Sequence, residues 1–393
     1  MATVLVLNSG SSSIKYQLID LAGRRLARGQ IERIGDVDAT HTHRGSTDGG
    51  RHEDHMTGAV ADHGDGLRRI IEALHADGLG GAVTAIGHRV VHGGDRFRKP
   101  TVIDDEVVAG IEALIPLAPL HNPANLQGIE VARRLWPDVT QVAVFDTAFH
   151  ATLPEVAYRY AVPESWYTDH DVRRYGMHGT SHAYVARCTA DALGRDLAEL
   201  RLITAHLGNG ASVTAVAGGR SIDTSMGLSP LEGLVMGTRS GDLDPAIVFH
   251  VARAAGIAPD AVERALIAES GLVGLCGDND MRAIEARVDR GDPRATLALE
   301  VFCYRIRKYV GAYAAVLGGL DALVFTAGIG EHSPTVRARV CDGLGFLGVA
   351  VDTDANAKDA TVISAADSDV AILVVPTDEE LEIATQTLGA INT

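Results

Sequence analysis

Short apolar runs alternate with amphipathic stretches along most of the chain. The run at residues 3–7 breaks at Asn8 and crosses Ser9-Gly10-Ser11-Ser12-Ser13. It resumes with alternation over 14–20, which predicts two paired strands around a polar turn. Residues 25–32 read as a third strand. Residues 40–66 are polar and Gly-rich and carry His41, His43, His52, His55 and His63. Their irregular spacing predicts a solvated loop or edge-strand region in preference to a metal-binding tract. A helix is expected over 67–77, then a strand in "TAIGHRVVHGG". A further helix in "DDEVVAGIEALIPLAPL" meets a proline stop. In "HNPANLQGIEVARRL", Asn122 is placed to cap a helix and Pro123 suits its first position. "DVTQVAVFDTAFH" reads as a buried strand ending at Asp146.

The second half repeats this style. "LITAHLGNGASVTAV" at 202–216 runs strand, polar Gly-rich turn, strand, and "GGRSIDTS" reads as a third strand. Helices are expected near 246–256, 259–269, 279–289 and 294–317. The strand "ALVFTAG", a helix from Pro334 to about 342, the strand "VAILVVP" and a helix from Asp378 follow. The apolar window 310–330 is interrupted by Asp321 and Gly318-Gly319. It reads as a buried helix and a buried strand rather than a membrane span, where a charge at mid-depth is costly. The twice-used strand, tight turn and strand predicts two related α/β domains facing a cleft.

Composition narrows the function. A formal charge of −16 argues against broad nucleic-acid binding and requires locally concentrated cations for any anionic substrate. Cys188, Cys276, Cys303 and Cys341 form no CxxC pair, so neither a zinc site nor a disulfide scaffold is expected. The first residues lack a basic, then apolar, leader pattern, and a cytoplasmic setting is expected.

Three turns could offer backbone N–H groups to phosphates: Asn8–Ser13, His206–Gly210 and Gly328–Ser333. The last leads into Ser333-Pro334, a cap followed by a first-turn proline. No GxxxxGK[ST] run is present, and the Gly343, Gly345, Gly348 series follows a helix rather than a strand, so it reads as a loop. Arg89 stands inside an apolar strand, where a charge needs either an ion-pair partner or an anionic ligand. Asp146 closes another strand. His178 lies in a glycine turn with His182 behind it, and Arg239, Asp242 and Asp244 share a loop. Two arginines, a histidine and an aspartate form the kit for stabilising a phosphoryl group in transfer. Thr377 and Glu380 fit a capping box, which leaves Glu379 free.

The segments "VLVLNSGSSSIKY", "GHRVVHGG", "PLAPLHNP", "VFDTAFH", "RRYGMHGTSH", "HLGNGAS", "MGLSPLEGLVMGTRSGDLDP", "TAGIGEHS" and "PTDEELEIA" together resemble the acetate kinase family nearly end to end. The resemblance implies an α/β fold of two duplicated actin-like ATPase (ribonuclease H-like) domains flanking an active-site cleft. An N-terminal domain, 1–148, would be joined by the C-terminal helix 378–393, and 149–377 would form the nucleotide-binding domain. It implies reversible phosphoryl transfer from ATP to acetate with Mg²⁺, or Mn²⁺ as the alternative ion, in a homodimer without nucleic-acid or membrane partners.

By the same resemblance, Asp146, His178 and Arg239 are catalytic. Arg89 holds the carboxylate, with Val91, Leu120, Met177 and Pro230 around the methyl group. Asn8 and Glu379 place the metal, and Lys15 lies near the nucleotide. His206, Leu207, Gly208, Asn209 and Gly210, then Asp280, Met281 and Arg282, then Gly328, Ile329, Gly330, Glu331 and His332, surround ATP. His121 and Asn209 are second contributors. Acetate is already ionised, so Asp146 is cast as orienting Arg89 or a metal-bound water rather than as a base. Met177, Ser229 and His332 depart from the family's usual Phe, Thr and Asn. Met is more deformable than Phe, which predicts a looser acid preference. The alternatives are a kinase for a longer short-chain acid and, more remotely, an actin-like nucleotide switch without metabolite chemistry.

Overall fold

The computed structural model describes residues 3–47 and 50–392. Asp48 and Gly49 of the polar stretch, and the terminal residues Met1, Ala2 and Thr393, lie outside the described residues. The chain divides into two compact units, Met1–Ala148 with Asp378–Thr393, and Phe149–Thr377.

The first unit is built on eight strands. They are β1 (Thr3–Ser9), β2 (Ser13–Asp20), β3 (Arg25–Glu32), β4 (Thr40–Thr47), β5 (Gly50–Thr57), β6 (Ala85–Val90), β7 (Thr101–Val102) and β8 (Thr140–Phe145). Their order is β5-β4-β3-β2-β1-β6-β8-β7. β1 runs antiparallel to β2 and parallel to β6, which is parallel to β8. Side-chain alternation gives β1 two buried faces. Leu5 and Leu7 join Ile14, Leu67, Ile70 and Val131 in a core under helices His63–Ala76 and Asn122–Leu135. Val4 and Val6 join Val142, Val144 and Ile383 under the C-terminal helix Glu379–Ile391.

The second unit holds β9 (Arg201–Leu207), β10 (Ala211–Ala217), β11 (Arg220–Thr224), β12 (Ala322–Thr326) and β13 (Ala371–Val374), in the order β11-β10-β9-β12-β13. β9, β10 and β11 form an antiparallel meander, and β9, β12 and β13 run parallel. This repeats the β3-β2-β1-β6-β8 pattern of the first unit strand for strand, so the duplication is one of topology. Helix Gly179–Leu193 covers one part of this core through Val185, Ala186 and Ala190.

Several local expectations are corrected. The first helix begins at His63, four residues earlier than its apolar pattern, because Asp62 accepts a hydrogen bond from the Asp65 N–H. Asn122 does not cap its helix; its amide bonds both backbone groups of His92 instead. The last helix is capped by Asp378, which accepts from the Leu381 N–H, so the Thr377–Glu380 capping box does not form. Residues Ala327–His332 form a short helix rather than a Gly-rich turn, while Ser333 caps the next helix as expected. The polar stretch from 40 is an edge-strand region, as one of its two readings had it, but His41 and His43 on β4 are buried rather than solvated. Helix Pro293–Leu317 ends at Gly318 in the left-handed region, and no helix among the described residues is long and apolar enough to cross a membrane.

Candidate active site

In the first unit, β1, β6 and β8 deliver Asn8, Arg89 and Asp146 at or just beyond one end of the parallel strands. The Arg89 guanidinium forks onto Asp146. Its Nε donates to both carboxylate oxygens at 3.2 and 3.0 Å, and Nη2 donates to Oδ2 at 2.6 Å. Nη1 contacts Asn8 Oδ1 at 3.4 Å. Burial works against the Arg89 charge, but Asp146 and Glu379 carry its pKa above the ordinary arginine value. Both sequence alternatives for Arg89 are thus compatible: the ion pair exists, and it fixes the plane of a cation with one nitrogen turned elsewhere.

Glu379 opens the C-terminal helix beside this pair. Burial pushes its carboxyl up to about 7, with Arg89 pulling down and Asp146 pushing further up. Asn8 and Glu379 offer oxygen donors, the kind a hard divalent cation such as Mg²⁺ takes, while both Asp146 oxygens accept from Arg89. Lys15 is exposed and pairs with Asn8 across the β1–β2 ladder. Val91 is buried, whereas Leu120 is 63% exposed. His121 occupies the N-cap position of helix Asn122–Leu135 without a side-chain capping bond.

Two asparagines hold this end of the sheet: Asn122, read from the sequence as a helix cap, and Asn125, which was not singled out. Asn125 Oδ1 accepts from the Val91 N–H at 3.0 Å, and its Nδ2 donates to the Ser9 carbonyl at 2.7 Å. Asn122 clamps His92, and Thr147 Oγ1 accepts from the Gly93 N–H. The signal was present in "HNPAN", where two amides sit three residues apart and so share one helix face.

In the second unit, His178 is the N-cap of helix Gly179–Leu193 and sits at φ 57° in the left-handed region. Its ring stacks on His206 at the end of β9, with centroids 4.2 Å apart. Ser212 on β10 ties the site together: its Oγ lies 2.9 Å from His178 Nδ1 and 2.8 Å from His182 Nε2. His182 is completely buried, and that burial drives its pKa well below the usual value, so it is neutral. Ser181 similarly bridges His206 Nδ1 and Thr377 Oγ1. Ser181 and Ser212 were not singled out in the sequence, because hydroxyls in Gly-rich motifs look like turn residues.

Arg239 stands on the same side. A Cβ placed on Gly210 would lie 3.5 Å from His178 Nε2 and 3.6 Å from Arg239 Nη1, so imidazole and guanidinium converge over this glycine. Arg239 donates to the Pro230 carbonyl and the Met236 sulfur, and none of these bonds goes to a carboxylate. Burial alone lowers its pKa from the ordinary arginine value. Unlike Arg89, this cation has no carboxylate partner among the described residues. Asp242 and Asp244 do not compensate it. Asp242 accepts from the Gly233 N–H and Tyr309 OH, and Asp244 from the Ala246 N–H.

The Gly208–Gly210 turn is fastened by the Gly208 N–H to the Gly210 carbonyl, and the Asn209 carbonyl accepts from the Gly237 N–H. Asn209 Oδ1 accepts from Asn279 Nδ2 at 3.2 Å. Asp280 caps helix Met281–Asp289 and pairs with the exposed Arg282. Leu207 and Met281 are core side chains, so only their backbone is free to meet a nucleotide. Gly328 and His332 are exposed, Ile329 is half-buried and Gly330 is buried, and Glu331 accepts from the Thr377 N–H. Met177 is buried and Pro230 half-buried. Neither unit alone supplies all four residues expected around a methyl group.

Residues 3–385 match the model of the Acetokinase family. An acetate kinase of Streptomyces griseus subsp. griseus is 57% identical over 395 residues, covering 99% of this chain and 96% of that protein. An acetate kinase of Leifsonia xyli subsp. xyli is 53% identical over 398 residues, covering 100% and 99%. Among solved structures, Porphyromonas gingivalis acetate kinase superposes with a TM-score of 0.94 at 43% identity, covering 100% of both chains. A propionate kinase from Francisella tularensis subsp. tularensis also superposes with a TM-score of 0.94, at 41% identity, covering 99% of this chain and 100% of that one.

Proposed function

We propose, for a chain that belongs to the acetokinase family, that it transfers the γ-phosphoryl group of ATP reversibly to acetate, giving acetyl phosphate and ADP. The observation that carries this reading is the contrast between the two arginines. Arg89 is held by Asp146, and Arg239 meets His178 over Gly210 with no carboxylate bonded to it among the described residues.

The roles follow from that contrast. Arg89 binds the acetate carboxylate, its plane set by Asp146, with Val91, Leu120, Met177 and Pro230 disposed around the methyl group. Acetate is ionised at neutral pH and needs no general base. One carboxylate oxygen attacks the γ-phosphorus in line, the new P–O bond forms, and the bond to the β-phosphate oxygen breaks with its electron pair leaving on ADP. Charge on the equatorial oxygens is met by Arg239 and His178, and catalysis is positioning plus neutralisation. The Gly208–Gly210 turn, Asp280–Arg282, Gly328–His332 and Lys15 receive the nucleotide. Asn8 and Glu379 would hold Mg²⁺, which supplies charge neutralisation at the phosphates when bound, and Asp146 would orient Arg89 or a metal-bound water. The first unit serves as the acid-binding domain and the second as the nucleotide-binding domain, in a cytoplasmic homodimer.

The test is hydroxylamine trapping of acyl phosphate from Mg-ATP with acetate, propionate and butyrate in turn. The highest kcat/KM is expected with acetate. Met177, buried and flexible, is the observation that favours propionate as the second substrate. A clear preference for propionate or butyrate moves the assignment along the acid series, and no acyl phosphate from any acid refutes it. Arg239→Ala is expected to lower kcat by about 10³–10⁵-fold with folding retained.

A further inference from the structure

The polar stretch from residue 40, which phosphoryl transfer does not use, folds into a compact cluster of ligating groups in the first unit. His43 on β4, His52 on β5 and Asp77 at the end of helix His63–Ala76 meet there. His43 Nε2 lies 3.0 Å from Asp77 Oδ2, and His52 Nε2 lies 3.0 Å from Asp77 Oδ1. One ligand-type atom from each residue falls within 4.8 Å of the others. The side chains of His43 and Asp77 are 1% and 3% exposed, and His52 is 32% exposed on the open side.

Two further observations make this more than a surface group of polar residues. Gly45 pairs with His52 in the ladder, and a Cβ there would lie 1.7 Å from Asp77 Oδ2 and 2.7 Å from His52 Cε1. The cluster closes only because that position carries no side chain. Asp77 is also the C-cap residue of its helix, at the negative end of the macrodipole. A buried carboxylate there is doubly disfavoured, and its side-chain partners among the described residues are imidazoles rather than a lysine or arginine.

Behind the cluster the imidazole is oriented. Tyr16 OH lies 2.5 Å from His43 Nδ1 and 3.0 Å from His41 Nε2. Without metal, His43 Nε2–H donates to Asp77; a metal at Nε2 would take the place of that proton, leaving Nδ1–H to donate to Tyr16 and the Tyr16 O–H to donate to His41. Ligating histidines characteristically have such an outer partner.

We propose that His43, His52 and Asp77 bind one divalent transition-metal ion of the zinc class, separate from the Mg²⁺ of phosphoryl transfer. The ion fastens the β4–β5 hairpin to the end of helix His63–Ala76, with water in the position on the His52 side. Two imidazole nitrogens and a carboxylate suit zinc or cobalt and do not suit Mg²⁺, which prefers oxygen and keeps its waters. Metal bonds of about 2.0–2.2 Å in a tetrahedron place ligand atoms about 3.3 Å apart, inside the range of separations from 3.0 to 4.8 Å that the cluster already spans.

The experiment strips the full chain of metal, adds excess Mg²⁺, and titrates with Co²⁺ while following its visible absorption. One equivalent with tetrahedral bands, displaced by Zn²⁺, is expected, together with a rise in Tm. His52→Ala, at a third-exposed position, is expected to fold, to keep wild-type Mg-ATP turnover, and to bind Co²⁺ at least about 10–100-fold more weakly, the loss seen even for outer-sphere partners. Asp77→Asn is expected to abolish stoichiometric binding. Absence of saturable Co²⁺ binding under excess Mg²⁺, or binding by His52→Ala equal to wild type, overturns the proposal and leaves the cluster a hydrogen-bonded clasp.

Discussion

Replacing Gly210 by alanine is the sharpest test of where the phosphoryl group sits. The added carbon would lie 3.5 Å from His178 Nε2 and 3.6 Å from Arg239 Nη1. Both are ordinary van der Waals distances, and Gly210 has no left-handed φ, so the variant is expected to fold. The methyl group nevertheless takes the space into which the two nitrogens would direct a phosphoryl oxygen, each at about 2.8 Å. Each charge-assisted hydrogen bond is worth about 1.5–3 kcal/mol. Losing two costs about 3–6 kcal/mol, and at 1.36 kcal/mol per tenfold the expected fall in kcat is about 10²–10⁴-fold. The assay is hydroxylamine-trapped acyl phosphate from Mg-ATP and acetate, alongside a thermal melt. Turnover within fivefold of wild type in a normally folded variant would show that the anion sits elsewhere. Gly237→Ala is the contrasting control: its Cβ would fall 1.8 Å from Asn209 Oδ1, so it should distort the turn and lower Tm as well.

Arg89→Lys keeps the charge but loses the fork onto Asp146; KM for acetate should rise about 10–100-fold with KM for ATP unchanged, measured by steady-state kinetics. Ser212→Ala strands His182 Nε2 in the core and releases His178 Nδ1. It should cost about 1–3 kcal/mol in denaturant melts and lower kcat by up to about 10²-fold, and an unchanged kcat would remove Ser212 from positioning His178. Glu379 supplies a pH test. Its carboxyl is raised from 4.5 to about 7 chiefly by burial, so its contribution to stability is complete below about 4.5 and lost as pH rises through about 7. The Tm of Mg-free protein should therefore fall between pH 5.5 and 8 more steeply in wild type than in Glu379→Gln, and Mg²⁺ should restore it at pH 8; parallel curves for the two proteins would contradict that role.

Elements governed by local pattern were legible in the sequence. The alternation over 14–20, the buried strand before Asp146 and the long helix closed by Gly318 all appear where the pattern placed them. Side-chain direction in a strand or helix is set by a short, fixed period, so neighbouring residues suffice to reveal it. The helix Gly179–Leu193 was not anticipated: Val185, Ala186 and Ala190 give its later turns an apolar stripe, but its buried first turn carries Thr180, Ser181 and His182. Those polar groups are tolerable only because Ser212, Thr204 and His206 arrive from strands far along the chain.

Caps failed for a related reason. Asn122 and Thr377 carry the right chemistry for their helix ends, yet each spends its side chain on a distant segment. Hydrogen-bonding groups take the better partner that packing brings, and sequence distance says nothing about which that is. The same holds for charge. Composition showed that any anion would need concentrated cations, and motif resemblance named Arg89 and Arg239. Only the tertiary structure decided that one is matched by Asp146 and the other by no carboxylate among the described residues, or that His43, His52 and Asp77 would share a single corner. Electrostatic energy depends on separation in space and on exclusion of water, and both are properties of the folded chain rather than of its order of residues.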